Sequence, residues 1–212
     1  MKLYSFFNSS TSYRVRIALA LKGLPYDYQG INLRESQQRS ASHRELSPIG
    51  GVPVLEVEGG SLTQSLAIID YLDSLHPEPQ LIPTDALQRA RVLEIANLIA
   101  CDIHPLNNVR VLKYLQNVLS VTAEQKSAWY QHWVAEGLGA VEVLLQRSDS
   151  GNCCVGDQPS LAECCLIPQV ANAERMGCDL SDYPRIMAVY RHCLELPAFQ
   201  AAAPAKQPDY IV

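Results

Sequence analysis

Hydrophobic and polar positions fall into two textures along the chain. Residues 1 to about 80 alternate short extended runs with helical ones. Residues 2–6 read as a strand, and 13–22 (YRVRIALALK) repeat with helical spacing up to Gly23, a helix stop. A second extended run covers 26–33. Residues 52–57 and 61–63 flank Glu58-Gly59-Gly60, whose glycines suit the tight turn of a hairpin. From 65 to 75 the apolar residues stand at 66, 68, 69, 72 and 75, a helix period. With a helix over 40–47, the predicted order is β-α-β-α-β-β-α.

Prolines then break the pattern. Pro77-Glu78-Pro79-Gln80 and Ile82-Pro83-Thr84-Asp85 disfavour helix and predict a linker. Beyond it helical runs cover 86–117, 123–147, 161–176, 183–194 and 197–203, with no convincing strand. The expected organisation is an α/β domain over 1–80, a linker over 81–86 and an all-α domain over 87–212.

Composition narrows the classes of function. The 212 residues are 48% hydrophobic and 18% charged, as in ordinary globular proteins rather than disordered chains. A formal charge of -5 argues against a general nucleic-acid binder, whose footprint is basic. No apolar run approaches a membrane span, and the N-terminal stretch is too short for a secretory core, so a cytoplasmic protein is expected. The seven cysteines are Cys101, Cys153, Cys154, Cys164, Cys165, Cys178 and Cys193, all in the second half and with no C-x-x-C. Zinc sites need that kind of spacing and disulfide scaffolds occur in small secreted chains, so these read as reduced, space-filling thiols, and no metal is expected.

Four segments carry candidate chemistry. Asn8-Ser9-Ser10-Thr11-Ser12-Tyr13-Arg14 lies between the first strand and the first helix. Capping accounts for one or two of those hydroxyls. Four in a row also suit an anion, since a helix start is partially positive and donors there would acidify a bound thiol. In Gly51-Val52-Pro53, a proline opening a strand is the plain reading; a cis bond would instead turn the Val52 backbone toward a peptide ligand. Gln64-Ser65 offers either an N-cap serine or a receptor for a ligand carboxylate. In the segment from Cys101 to Arg110, Pro105 should kink the helix and free the Cys101 carbonyl. His104 and Asn108 share a face there, while Arg110 points roughly 120° away from His104. Ser160-Leu161-Ala162-Glu163 reads as a capping box, and Arg175 suits the dipole at the end of the helix that follows.

Together these residues resemble one family. Ser9-Ser10-Thr11-Ser12-Tyr13-Arg14-Val15-Arg16-Ile17-Ala18-Leu19 resembles the S-S-C-x-x-R-V-R-I-A-L signature of zeta-class glutathione transferases. Val52-Pro53 with Gln64-Ser65-Leu66-Ala67-Ile68-Ile69 is similar to their glutathione-binding core, and Ala171-Asn172-Ala173-Glu174-Arg175 to their late-helix motif. The likeness extends to the closing Gln207-Pro208-Asp209. The resemblance implies a thioredoxin-like N-terminal domain followed by a helical bundle, glutathione as cofactor, and a homodimer. It implies that Ser9, Ser10 and Thr11 face the glutathione sulfur. Gln38 and His104 would contact the tripeptide backbone or its glycyl end, and Val52 would pair through its main chain across a cis Pro53. Gln64 and Ser65 would hold the γ-glutamyl carboxylate and amine. Asn108, Val109 and Arg110 would line the mouth, and Arg175 would meet an acidic substrate.

The activity the resemblance implies is cis–trans isomerisation of a small maleyl keto-acid, maleylpyruvate to fumarylpyruvate, in aromatic catabolism. Maleylacetoacetate isomerisation and general glutathione transfer are the alternatives. Glutathione thiolate would add to the alkene, the resulting single bond would rotate, and sulfur would leave, so no protein nucleophile is required. Ser9 and Ser10 would depress the thiol pKa, and Arg110 and Arg175 would face the enolate. Two departures bear on this. Thr11 stands where the family has cysteine, which excludes cysteine chemistry there and favours isomerisation over thiol–disulfide reactions. Asn8 stands where many relatives carry arginine, and Arg110 is expected to replace that cation.

Overall fold

The computed structural model describes residues 1–148 and 150–211. In chain order the elements are β1 (Lys2–Ser5), α1 (Ser10–Leu21), β2 (Asp27–Gly30), α2 (Ala41–Leu46), β3 (Val54–Val57), β4 (Gly60–Thr63) and α3 (Ser65–Leu75). Helices follow: α4 (Ala86–Asn97), α5 (His104–Asn107), α6 (Val109–Asn117), α7 (Ala123–Arg147), α8 (Leu161–Arg175), α9 (Pro184–Glu195) and α10 (Pro197–Ala202). The chain forms two compact units, Met1–Ile82 with Leu194–Val212, and Pro83–Cys193. Leu194–Val212, expected in the helical domain, therefore belongs with the first unit.

In that unit the order β-α-β-α-β-β-α is the predicted one. The sheet runs β2-β1-β3-β4, with β1 parallel to β2 and antiparallel to β3. β3 and β4 close the expected hairpin, Val57 opposite Gly60, and Gly59 takes the positive φ of 94° that a side chain disfavours. Leu3, Val15, Ile17, Leu19, Val54, Leu55, Ile68, Ile69 and Leu72 form its fully buried core. The second strand is shorter than 26–33: Ile31 N–H still donates to the Ser5 carbonyl (2.7 Å), and the chain then turns away.

Three polar clusters hold this unit together. The Arg16 guanidinium, fully buried, donates to Ala202 O (3.0 Å), Ser5 Oγ (3.2 Å), Phe6 O (3.3 Å) and Phe7 O (3.0 Å). Burial lowers its pKa, while the four acceptors tie the end of β1 to the end of α10. Asp209 accepts the Phe7 N–H (3.1 Å) and the Tyr28 hydroxyl (2.6 Å), and burial with that bond raises the Tyr28 pKa. Lys22 donates to Asp73 Oδ1 (2.7 Å), His76 O (2.6 Å) and Pro79 O (2.8 Å). The Asp73 carboxylate also accepts the Leu81 and Ile82 amides (2.8 and 3.0 Å), so one ion pair fixes the chain leaving α3.

In the helical unit the run expected over 86–117 is interrupted. After α4, Leu98–Ile103 widens into a π-helical turn, α5 is a single turn, and Asn108 is extended (φ -66, ψ 143) before α6 begins. Pro105 lacks the N–H that would continue the ladder, and the widened turn absorbs the mismatch. The expected single kink is thus a break in two places. α7 fits this irregular stretch: at Gly137 any Cβ would collide with the Ile103 side chain, and Trp129 Nε1 donates to Leu106 O (2.9 Å).

The box before α8 forms as predicted, with the buried Glu163 accepting from Ser160 N (2.6 Å), Ser160 Oγ (2.8 Å) and Cys154 N (2.6 Å). All seven cysteines are free thiols, and Cys153, Cys154, Cys164, Cys165 and Cys193 are buried. Burial raises the Cys154 pKa; a bond with Cys153, then burial, raises that of Cys193. Among the described residues no group of His, Cys, Asp and Glu could hold a metal ion, and no helix is long and apolar enough to cross a membrane.

Candidate functional site

Ser9 is the N-cap of α1, its Oγ accepting the Ser12 N–H at 3.2 Å. Its Oγ also lies 2.9 Å from Thr11 Oγ1, and Thr11 Oγ1 donates to the Val52 carbonyl at 2.9 Å. A hydroxyl has one proton to give. Thr11 gives its proton to Val52, because a carbonyl cannot donate, so the Ser9–Thr11 bond runs from Ser9 to Thr11. Ser10 is different: among the described residues neither its hydroxyl nor its amide has a partner, and the Thr11 amide is also open. The start of α1 therefore presents two amides and one uncommitted hydroxyl at its positive end, as an anion or thiolate requires.

Beside it the Val52–Pro53 bond is cis, and the Val52 N–H makes no bond within the described residues. His43 Nε2 lies 2.8 Å from the Gly51 carbonyl and Ser47 Oγ accepts the Gly51 N–H (3.1 Å), which fixes the approach to this peptide. Gln38, in the short 3₁₀ turn Gln37–Arg39, is 8% exposed with its Oε1 unpaired.

At α3 the N-cap is Gln64, with φ 68 and no side-chain cap bond, and Ser65 is the first helical residue. The expectation of Ser65 as the cap is corrected. Its Oγ instead accepts from Arg14 Nη1 (3.3 Å), and the first backbone acceptor of α3 serves Ile68, leaving the amides of Ser65, Leu66 and Ala67 open. Arg14 is 2% exposed, and among the described residues its Nε and Nη2 have no partner. Sequence reasoning gave this arginine no role. The available signal was a second cation inside an apolar helical run.

These unpaired groups fit the expected tripeptide: an open main-chain amide beside a cis peptide, amides with a cation behind them for a carboxylate, and a hydroxyl-lined helix start for sulfur.

The remaining expected residues stand on the helical unit. Asn108 caps α6, accepting the Arg110 N–H at 2.9 Å, and its Nδ2 lies 3.2 Å from His104 Nε2. The two residues were expected to share a face, and their side chains meet across the break in the helix. Val109 and Arg110 are exposed, and among the described residues the Arg110 guanidinium has no partner. Asn107, buried next to them, has no partner for either amide atom among the described residues. At the end of α8, Arg175 Nη2 donates to Asn172 Oδ1, and Asn172 Nδ2 donates to Tyr130 Oη (2.6 Å). Burial raises the Tyr130 pKa, which keeps this phenol protonated. Tyr130 was not foreseen at the far end of this chain of bonds, because it stands on α7 while Asn172 and Arg175 stand on α8.

Comparison with known proteins gives a consistent result. The family described as "Glutathione S-transferase, N-terminal domain" matches residues 1–74. Over 210 residues the chain is 44% identical to a maleylpyruvate isomerase of Ralstonia sp, spanning 99% of each protein. It matches the holo structure of a maleyl pyruvate isomerase, described as a bacterial zeta-class glutathione S-transferase, with TM-score 0.97 and 44% identity over 100% of both chains. A maleylacetoacetate isomerase from Anaeromyxobacter dehalogenans 2CP-1 with bound GSH matches at TM-score 0.89 and 40% identity, over 99% of this chain and 97% of that one.

Proposed function

Because the chain belongs to the zeta-class glutathione transferases, we propose that it is a glutathione-dependent cis–trans isomerase acting on maleylpyruvate to give fumarylpyruvate. One observation carries this reading: the start of α1 gathers hydroxyls and open amides but no thiol. Such a site stabilises a thiolate the protein does not own and has no cysteine for redox exchange.

Glutathione, when bound, supplies the nucleophilic sulfur that adds to the substrate's double bond and leaves unchanged. The residues of the chain do the rest. Ser10, Ser9 and the α1 amides lower the thiol pKa, with Thr11 behind them. Val52, across the cis bond to Pro53, holds the peptide main chain, and Gln64 and Ser65 with the first α3 amides hold the γ-glutamyl end. Gln38, His104 and Asn108 take the remaining backbone, and Val109 lines the entrance. Arg110 and Arg175 serve the substrate's carboxylates and the negative charge that grows on its keto oxygen, worth about 3–4 kcal/mol if one acts as an oxyanion donor. On the same reading the enzyme is a cytoplasmic homodimer in aromatic catabolism, with a small acidic keto-acid as its partner.

Maleylacetoacetate is the second substrate reading, supported by the similarity to isomerases of that name. The test supplies both maleyl compounds with and without catalytic glutathione. The expected result is trans product from maleylpyruvate with glutathione undiminished. Stoichiometric consumption of glutathione, or no trans product, would refute the isomerase.

A further inference from the structure

Resting on the glutathione reading, we propose that Thr11 competes with the cofactor's sulfur for the Ser9 proton and thereby limits the acidity of the bound thiol. The argument is a count of protons. Ser9 Oγ, already accepting the Ser12 amide (3.2 Å), can donate once. In the ligand-free protein that proton goes to Thr11 Oγ1 at 2.9 Å, because the Thr11 proton is engaged by the Val52 carbonyl at 2.9 Å. A thiolate at the helix start attracts the Ser9 proton, but turning it there breaks an existing bond. Ser10 has no such commitment and donates without that cost.

The same chain of hydroxyls links two parts of the cofactor site. Thr11 joins the start of α1 to Val52, whose open N–H adjoins the cis peptide. Thr11 is thus a positioning residue: it holds the Val52 peptide in place and withholds one donor from the sulfur. A side chain of the same shape without oxygen removes both effects at once, and thiol acidity and glutathione affinity report them separately.

The experiment compares wild type, Thr11→Val and Thr11→Ser in their binary complexes with glutathione. The thiol pKa is read from the pH dependence of thiolate ultraviolet absorbance, and affinity from calorimetry. In Thr11→Val the Ser9 proton has no competing acceptor, so the bound thiol pKa falls by about half to one unit below wild type. The Val52 peptide loses its tie, so affinity for glutathione drops about three- to tenfold. Thr11→Ser restores both values. A thiol pKa unchanged in Thr11→Val overturns the proposal. A raised one does too, since Thr11 would then itself be a thiolate donor. Failure of Thr11→Ser to restore the wild-type values equally overturns it. Should the valine variant not fold, Thr11→Ala carries the same expectation. A wild type that binds glutathione as an acidic thiol yet fails to isomerise would refute the function and leave this comparison in force, whereas one that binds no glutathione would refute both.

Discussion

Replacing Arg14 with methionine should leave the ligand-free protein at least as stable while weakening its hold on glutathione. The Arg14 guanidinium is buried with five N–H donors, and its one hydrogen bond, from Nη1 to Ser65 Oγ, is long at 3.3 Å. Among the described residues Nε and Nη2 have no partner. A buried polar group left unpaired costs about 1–3 kcal/mol, and the single bond returns about 1 kcal/mol. Methionine fills similar space without polar atoms. The net change in the free protein is therefore about 0–2 kcal/mol in favour of the variant.

The loss appears at the start of α3, where the open amides keep their positive end but no longer have a cation behind Ser65. Affinity for glutathione should fall about tenfold, which is about 1.4 kcal/mol. Urea denaturation followed by circular dichroism, with and without glutathione, measures both effects. At a hundred times its dissociation constant, glutathione stabilises wild type by about 2.7 kcal/mol; at the same concentration the variant gains about 1.4 kcal/mol. A ligand-free variant less stable than wild type by more than about 1 kcal/mol, or an undiminished gain from glutathione, would refute the reasoning.

Three further outcomes can be checked directly. Arg16→Lys should destabilise the protein by about 2–4 kcal/mol in thermal denaturation, because an ammonium cannot reproduce the planar fork that meets four acceptors. Arg110→Ala should raise KM or lower kcat for the keto-diacid and leave glutathione affinity unchanged, as steady-state kinetics and calorimetry would measure; equal activity contradicts its role. The raised pKa values of Cys154 and Cys193 keep both thiols protonated in the fold after the unfolded chain has begun to ionise. Their contribution is complete below the unfolded value of about 8.5 and is lost above it, at about 1.4 kcal/mol per pH unit for each thiol. Urea midpoints should therefore fall between pH 8 and pH 10, and a flat profile would contradict the assignment.

Local patterns carried most of the fold. The strand alternation near residue 2, the helix period over 65–75 and the glycine turn at 58–60 each depend on neighbours in sequence, and each appears in the structure. The break between α4 and α6 was only half legible. Pro105 announced a disturbance, but its location depends on α7, whose Gly137 receives Ile103 of the widened turn and whose Trp129 bonds Leu106 of α5. Long-range polar contacts left no periodic trace: nothing in the spacing of 194–212 places Asp209 against Phe7 and Tyr28. In the candidate site the serines and Gln64-Ser65 were legible as helix starts. Which hydroxyl is free was not, because that depends on the Val52 carbonyl, 41 residues from Thr11.

The Arg16 and Asp209 clusters also limit how such a chain can recombine. Both ends of the polypeptide build one unit, and Pro83–Cys193 is an insert between them. A crossover that transferred residues 1–74 alone would leave Arg16 without Ala202, Lys22 without Pro79 and Phe7 without Asp209. Descent could exchange the inserted helices as a cassette, whereas the front segment has to travel together with the tail.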